Sequence, residues 1–388
     1  MAKHLTPRPF NLQSAISATM QMMAGLCWWC HQGNGPQEAL ISLAISHFFS
    51  KKRLSFLDLR LNQSGPHFLF FHHMAEEGMH LLEGSVVSFL EQTSLMLLLL
   101  VTMVLLMGKD LTGGTSSTKG QFTLTRPYMI EIMYSNQIQI SNLTLVNSPS
   151  WFVHPIYSSD IIIQGLTILA PVDSPNTDGI DPDSCSNTRI EDCYIVSGDD
   201  CIAVKSGWDE YGIKVGMPSQ HIIIRRLTCI SPDSAMIALG SEMSGGIQDI
   251  RAEDLTAINT QSAVRIKTAV GRGAYVRNIF VEGMNLFTMK YVFWMTGSYG
   301  SHPDTGFDPK ALPTITGINY RDVIAKNVAY PAKLEGIAND PFTGICISNA
   351  NIEKVGKKLA WNCTDVHGVT SNVSPEPCAL LQEKLGEI

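Results

Sequence analysis

From about Gly120 onward, apolar and polar positions alternate in short runs that close on Asn, Ser, Pro or Gly. One phrase recurs along this stretch: IQISNLTLVNSP, IIIQGLTILAP, TRIEDCYIVSG, IIIRRLTCISP, IRAEDLTAINT, VRNIFVEGMNL, GINYRDVIAKN and GICISNANIEK. Leu143, Leu166, Cys193, Leu227, Leu255, Met284 and Val323 hold equivalent places in it. The steps between them are unequal, shortest from Leu143 to Leu166 and longest from Met284 to Val323. All fall within the period of about 20–50 residues that marks stacked repeats. Period-2 runs of this length are strands. No amphipathic helical stretch separates them, so strand-helix-strand units do not fit. One strand phrase per coil predicts an all-β fold, a right-handed parallel β-helix in which each coil stacks on the last. A β-sandwich with irregular strand spacing is the competing reading; the lack of hairpin turn dipeptides between repeats weighs against it.

Residues 1–118 lack the phrase. They hold Asp58 and Asp110 as their only aspartates, seven of the eleven histidines and nine of the seventeen methionines. CWWC at Cys27–Cys30 has no second cysteine pair or strand-helix-strand context, so no metal or redox site is expected there. His72 and His73 read as surface histidines. The apolar run Leu95–Met107 is too short for a membrane span, which needs about 20 apolar residues. MAKHLTPRPF has no apolar core of an export signal. The chain therefore divides into an atypical segment 1–118, a repeat domain 119–378 and a tail 379–388, where ALLQEKLGEI predicts a short helix.

Composition narrows the partners. The chain has 388 residues, 45% hydrophobic and 16% charged, with a net charge of −7. The negative balance argues against nucleic acid, and no membrane partner is expected. A polyanionic ligand would need a local cationic site. Nine cysteines do not make a disulfide scaffold, although Cys363 and Cys378 are candidates for a closing bridge near the end. Cys185 or Cys201 would pair only where stacking brings a partner close. Asn62, Asn142, Asn362 and Asn372 head Asn-x-Ser/Thr sequons, weak support for export.

Chemistry concentrates in one region. Asp178, in NTDGIDPDSC, precedes Asp199 and Asp200 by close to the shortest repeat step. At that coil length the three carboxyls fall on neighbouring rungs of one face. Arg265 and Lys267, at i and i+2 of VRIKT, share a face of a later strand. Acids crowded together and flanked by cations suit hydrolysis of an acidic sugar polymer: crowding keeps one acid protonated to serve the leaving oxygen while the others activate water. An inverting pair needs about 6.5–9.5 Å between carboxyls for that water. Arg265 and Lys267 would hold a substrate carboxylate. Solvated turns, or a calcium site built from the same acids, are the alternatives.

NTDGIDPDSC, SGDDCIAVKSG, GSEMSGGI and RIKT, in that order, resemble the signature of the polygalacturonase family of glycoside hydrolases, with GDDCIAVKSGWDEYG and TRPYMIEI pointing to a plant branch. The resemblance spans about Gly120–Cys378. It implies a β-helix, a pectic polysaccharide as partner, inverting hydrolysis of α-1,4-galacturonosyl bonds, no metal or other cofactor, a monomer, and a place outside the cell or in its wall. By motif, Asp199 resembles the general acid, Asp178 and Asp200 the water-activating pair, Arg265 and Lys267 the substrate-carboxylate binders, and Tyr299 a substrate-contacting tyrosine.

Two departures stand out. Ser234 occupies the place where many members carry a histidine, and His221 lies too early in the chain to replace it. The family's usual first coils are absent from residues 1–118, as a frame-shifted or misjoined reading would produce; an added domain is the rival explanation. A solenoid lacking its first coils exposes its apolar column, so aggregation is expected of the chain as written. Lost catalysis, leaving a carbohydrate-binding pseudoenzyme, and a calcium-dependent pectate-lyase-like eliminase are the alternatives to hydrolysis.

Overall fold

The computed structural model describes residues 97–100, 105–107, 126–354 and 360–382. These form a right-handed parallel β-helix, as the repeats predict. Every strand-to-strand ladder is parallel, and the strands stack in three columns. The first column runs Leu97–Leu100, Asn136–Ser141, Ser159–Gln164 and Ser186–Glu191 and continues through the first part of each later strand. Its register aligns Ile138, Ile161, Thr188, Ile222, Ile250, Ile279, Ile318 and Ile345. The second column aligns Leu145, Ile168, Ile195, Cys229, Ala257, Leu286, Ala325 and Ile352. The third aligns Ile130, Val153, Ile180, Ile202, Ile237, Val264, Phe293 and Ala332. Nearly all these side chains are buried in one continuous core, each large one contributing about 1.5–3 kcal/mol.

The bends explain why so many Asn and Asp residues follow the apolar runs. Between the first and second columns, one residue per coil takes positive φ: Asn142, Gly165, Asp192, Arg226, Asp254, Gly283, Asp322, Asn349 and Asn372. Asn and Asp adopt this conformation more readily than other side chains. Their side chains also bond up the stack, as Asn349 does to Asp322 and Asn372 to Asn349, both at 3.0 Å.

The apolar run Leu95–Met107 contributes strands rather than a span: Leu97–Leu100 pairs with Ile138–Ser141 and Leu105–Met107 with Thr144–Val146. CWWC, His72 and His73 lie outside the described residues. Among the described residues no helix is long and apolar enough to cross a membrane. Cys363 and Cys378 form the expected bridge, and Cys201 bonds Cys229 one coil on. Cys185 is a buried free thiol. The described part of the tail forms a single 3-10 turn, Ala379–Leu381.

Candidate active site

The NTDG turn is fixed residue by residue. Asn176 Oδ1 accepts a hydrogen bond from Arg126 Nη2 at 2.5 Å, while Arg126 Nη1 donates to the carbonyls of Pro149 and Pro175 at 3.0 and 2.9 Å. Thr177 Oγ1 donates to Ser174 O (2.8 Å) and accepts from Gly198 N (2.9 Å). That tie docks the turn onto the next coil, which carries Asp199 and Asp200. A Cβ on Gly198 would lie 2.0 Å from Ser174 O, and one on Gly179 2.5 Å from Cys201 O. Only glycine lets the two coils approach this closely.

The third column then brings the acids together. Ile180 pairs with Ile202, so Asp178 stands one rung below Asp200. One oxygen from each of Asp178, Asp199 and Asp200 lies within 4.8 Å of the others. This is closer than the separation of about 6.5–9.5 Å expected of an inverting pair.

Their environments differ. Burial alone would raise the Asp200 carboxyl, but Lys267 Nζ at 2.5 Å, with Ser234 Oγ donating at 2.6 Å, holds it below the usual carboxylate range. Burial, then the charge of Asp199, pushes Asp178 well above that range. Its Oδ1 is buried without a hydrogen-bond partner among the described residues. Asp178 is more deeply buried than Asp199, and the ammonium of Lys267 pairs with Asp200 rather than with Asp178. Asp199 is the most open of the three. Its Oδ1 accepts from Asp200 N–H at 2.9 Å.

Ser234, which the sequence marked only as a departure, connects the acids: its Oγ is 2.9 Å from Asp199 Oδ1 as well as 2.6 Å from Asp200 Oδ1. His221 is elsewhere, at a positive-φ bend of the first column, with Nδ1 2.7 Å from Asp249.

The three expected substrate-binding residues also converge. The Arg265 guanidinium lies 3.6 Å over the Trp294 ring and 5.6 Å from the Tyr299 ring, with no carboxylate at ion-pair distance among the described residues. Lys267 sits 5.8 Å from Tyr299 but pairs with Asp200, so it is tied to the acids first. Tyr299 is held on its loop by its N–H to Thr268 O at 2.9 Å.

A latch pins that loop. The helix Asp209–Val215 begins with Asp209, which is fully buried and ion-paired to fully buried Arg272. Asp209 also bonds His302 Nδ1 at 2.6 Å, Arg272 donates to Ser301 O, and Tyr211 Oη donates to Asp304 at 2.8 Å. These contacts cross non-repeating loops, so the strand pattern gave no sign of them.

On the upstream side lies a second polar cluster. Lys205 Nζ is 3.2 Å from Glu242 and 3.9 Å from Asp181, and sits 4.4 Å over Trp151. Asp181 is buried with neither carboxyl oxygen hydrogen-bonded among the described residues, and burial raises it to about 8. His154, 3.1 Å from Glu131 and 3.8 Å from Asp183, rises to about 9: burial lowers it, but the two carboxylates beside it prevail.

The acid trio offers three carboxylates, whereas calcium takes six or more oxygen ligands. Here an ammonium already occupies Asp200 Oδ2, and Asp178 favours its proton; both oppose a second cation.

The sequence pattern of glycosyl hydrolases family 28 matches residues 108–375. A "Probable polygalacturonase" of Vitis vinifera is 68% identical over 267 residues, covering 68% of this chain and 54% of that protein. A "Polygalacturonase" of Chamaecyparis obtusa is 31% identical over 244 residues, 62% of this chain and 45% of that one. The chain thus spans about half the length of the curated relatives it matches. Among solved structures, an exopolygalacturonase from Thermotoga maritima aligns with a TM-score of 0.55 at 30% identity, over 64% of this chain and 55% of that one. A polygalacturonase from Erwinia carotovora aligns with a TM-score of 0.52 at 22% identity, over 65% of this chain and 62% of that one, and so shares the fold. With the family pattern matching well over half of its residues, the chain belongs to glycosyl hydrolases family 28.

Proposed function

We propose that this chain hydrolyses α-1,4-galacturonosyl bonds of pectin. The observation that carries the reading is the divergence of two neighbouring carboxyls, Asp178 pushed above the usual carboxylate range by burial and Asp200 held below it by Lys267. Neighbouring acids pushed apart in this way are what acid/base hydrolysis needs. Asp199, the open member, presents a proton to the glycosidic oxygen. The glycosidic bond breaks as water attacks the anomeric carbon; Asp200, held ionised beside Lys267, takes that water's proton, and Asp178 orients the water. Arg265 and Tyr299 take the sugar's carboxylate and ring face, and Lys267 adds its charge beside them.

Two experiments test this. Polygalacturonate should release reducing ends with wild type and not with Asp199→Asn; binding without release in the wild type would instead support a pseudoenzyme. A calcium-dependent product absorbing in the ultraviolet would support elimination. Inversion follows from the family resemblance, and proton NMR of the first-formed anomer checks it; the opposite anomer would indicate retention, which the tight carboxyl spacing would also suit.

The substrate is a pectic polysaccharide and the active form a monomer. Two disulfides, at Cys201–Cys229 and Cys363–Cys378, support an oxidising location, in keeping with the cell wall.

A further inference from the structure

The Asn-x-Ser/Thr sequons have no part in the hydrolysis, yet their surroundings differ sharply. Asn62 lies outside the described residues. Asn142 and Asn372 stand in the line of positive-φ bends between the first and second columns. Both side chains serve the stacking there. Asn372 Nδ2 donates to Asn349 Oδ1 at 3.0 Å, and Asn349 Nδ2 donates in turn to Asp322 Oδ1. Asn142 lies across Gly165 of the next coil, where a Cβ would meet its Oδ1 at 2.7 Å. A branched sugar on either amide would displace a side chain packed between two coils.

Asn362 is placed differently. It opens the strand Asn362–Thr364, the last described rung of the third column, which pairs with Lys333–Glu335. Strand alternation turns Cys363, opposite fully buried Leu334, toward the core side, where it bridges Cys378. Asn362 and Thr364, opposite Lys333 and Glu335, are both exposed. The amide and the hydroxyl of this sequon therefore share one solvent-facing side of the strand. The Asn362 amide has no hydrogen-bond partner among the described residues.

We infer that Asn362 is an N-glycosylation site and that Asn142 and Asn372 stay bare. The donor is an oligosaccharide carried on a lipid pyrophosphate. The bond from Asn362 Nδ2 to the sugar C1 forms as the bond from C1 to the pyrophosphate oxygen breaks; the lipid pyrophosphate leaves and the amide gives up one proton. The product is a bulky, solubilising group at the surface. It stands on a strand that has no further strand beyond it among the described residues, and an open strand edge invites pairing with another chain. A glycan there shields that edge. The inference needs the export that the two disulfides support, and it is independent of the pectin reading.

The test is expression of the full chain behind an export leader in a eukaryotic secretory host, followed by enzymatic removal of N-glycans in heavy-oxygen water. That step converts each glycan-bearing asparagine to an isotope-labelled aspartate. Peptide mass mapping is done on denatured protein, so solubility does not limit it. The label is expected at Asn362 and absent from Asn142 and Asn372. On a denaturing gel, Asn362→Gln and Thr364→Ala are each expected to migrate one glycan faster than wild type, and Asn372→Gln to migrate with it. An unlabelled Asn362, or label at Asn142 or Asn372, overturns the inference and leaves the hydrolase reading untouched.

Discussion

Lys267 Nζ lies 2.5 Å from Asp200 Oδ2, and both side chains are more than nine-tenths buried. The ammonium both offsets a buried charge and fixes which acid of the cluster stays ionised. Lys267→Met should therefore leave Asp200 buried and unpaired, at about 3–5 kcal/mol near neutral pH. The folded Asp200 value is depressed below the unfolded one, so the pair's contribution is present above about pH 4 and fades as pH falls through the folded value. Denaturant unfolding should show a smaller deficit at pH 3 than at pH 7; an equal deficit would contradict this account.

Asp178 carries the opposite sign. Its folded value is raised, so it supports the fold below the unfolded value and loses that contribution as pH rises through the folded one. Asp178→Asn should abolish turnover by about 100-fold or more while raising stability near neutral pH by about 1 kcal/mol. A thermal midpoint lowered at pH 7 would refute the second half.

Ser234 supplies one hydroxyl to two carboxyls. Ser234→Ala should reduce kcat by about tenfold with little change in KM, since a charge-assisted hydrogen bond to Asp200 is worth about 1.5–3 kcal/mol before water replaces it. A changed KM with unchanged kcat would move Ser234 from the acids to substrate binding.

The latch on the Tyr299 loop gives a kinetic prediction. His302→Ala removes the bond to Asp209 without stripping Arg272 of its carboxylate. KM should rise several-fold with kcat nearly constant, and the effect should vanish in a Tyr299→Ala background, because interacting sites are not additive. Additive losses would show that His302 acts apart from Tyr299.

The Cys363–Cys378 bridge closes a 15-residue separation. Replacing both cysteines with alanine should cost about 3 kcal/mol by loss of loop constraint, measured by denaturant unfolding, with the same kcat.

What could be read in the sequence followed repetition. The apolar phrase fixed the stacking, and coil length alone placed Asp178 beside Asp199 and Asp200. Arg265 and Lys267 came from strand periodicity. What stayed hidden depends on loops with no period. Arg126 reaches across 50 residues to Asn176, and His302 across 93 to Asp209. Ser234 was visible as a difference, yet its position between two carboxyls requires three-dimensional stacking. The upward push on Asp178 was also out of reach, because its first cause is burial and the charge of Asp199 comes second. Leu95–Met107 looked atypical because its apolar run, broken only by Thr102, lacks the alternation of the other strands.

The unequal repeat steps acquire a meaning from the bends. Each coil turns on one left-handed residue at a fixed register, so the first two columns have no slack. The longest steps, Cys193 to Leu227 and Met284 to Val323, instead place their surplus beyond the third column, in the segment holding the Asp209–Val215 helix and in the loop holding Tyr299 and His302. Among the described residues, the largest surpluses of length fall along the walls of the cleft. Such an architecture decouples heritable change in what is recognised from the spine that keeps the acids in line, and a family can diversify its diet by editing loops while its rungs stay the same.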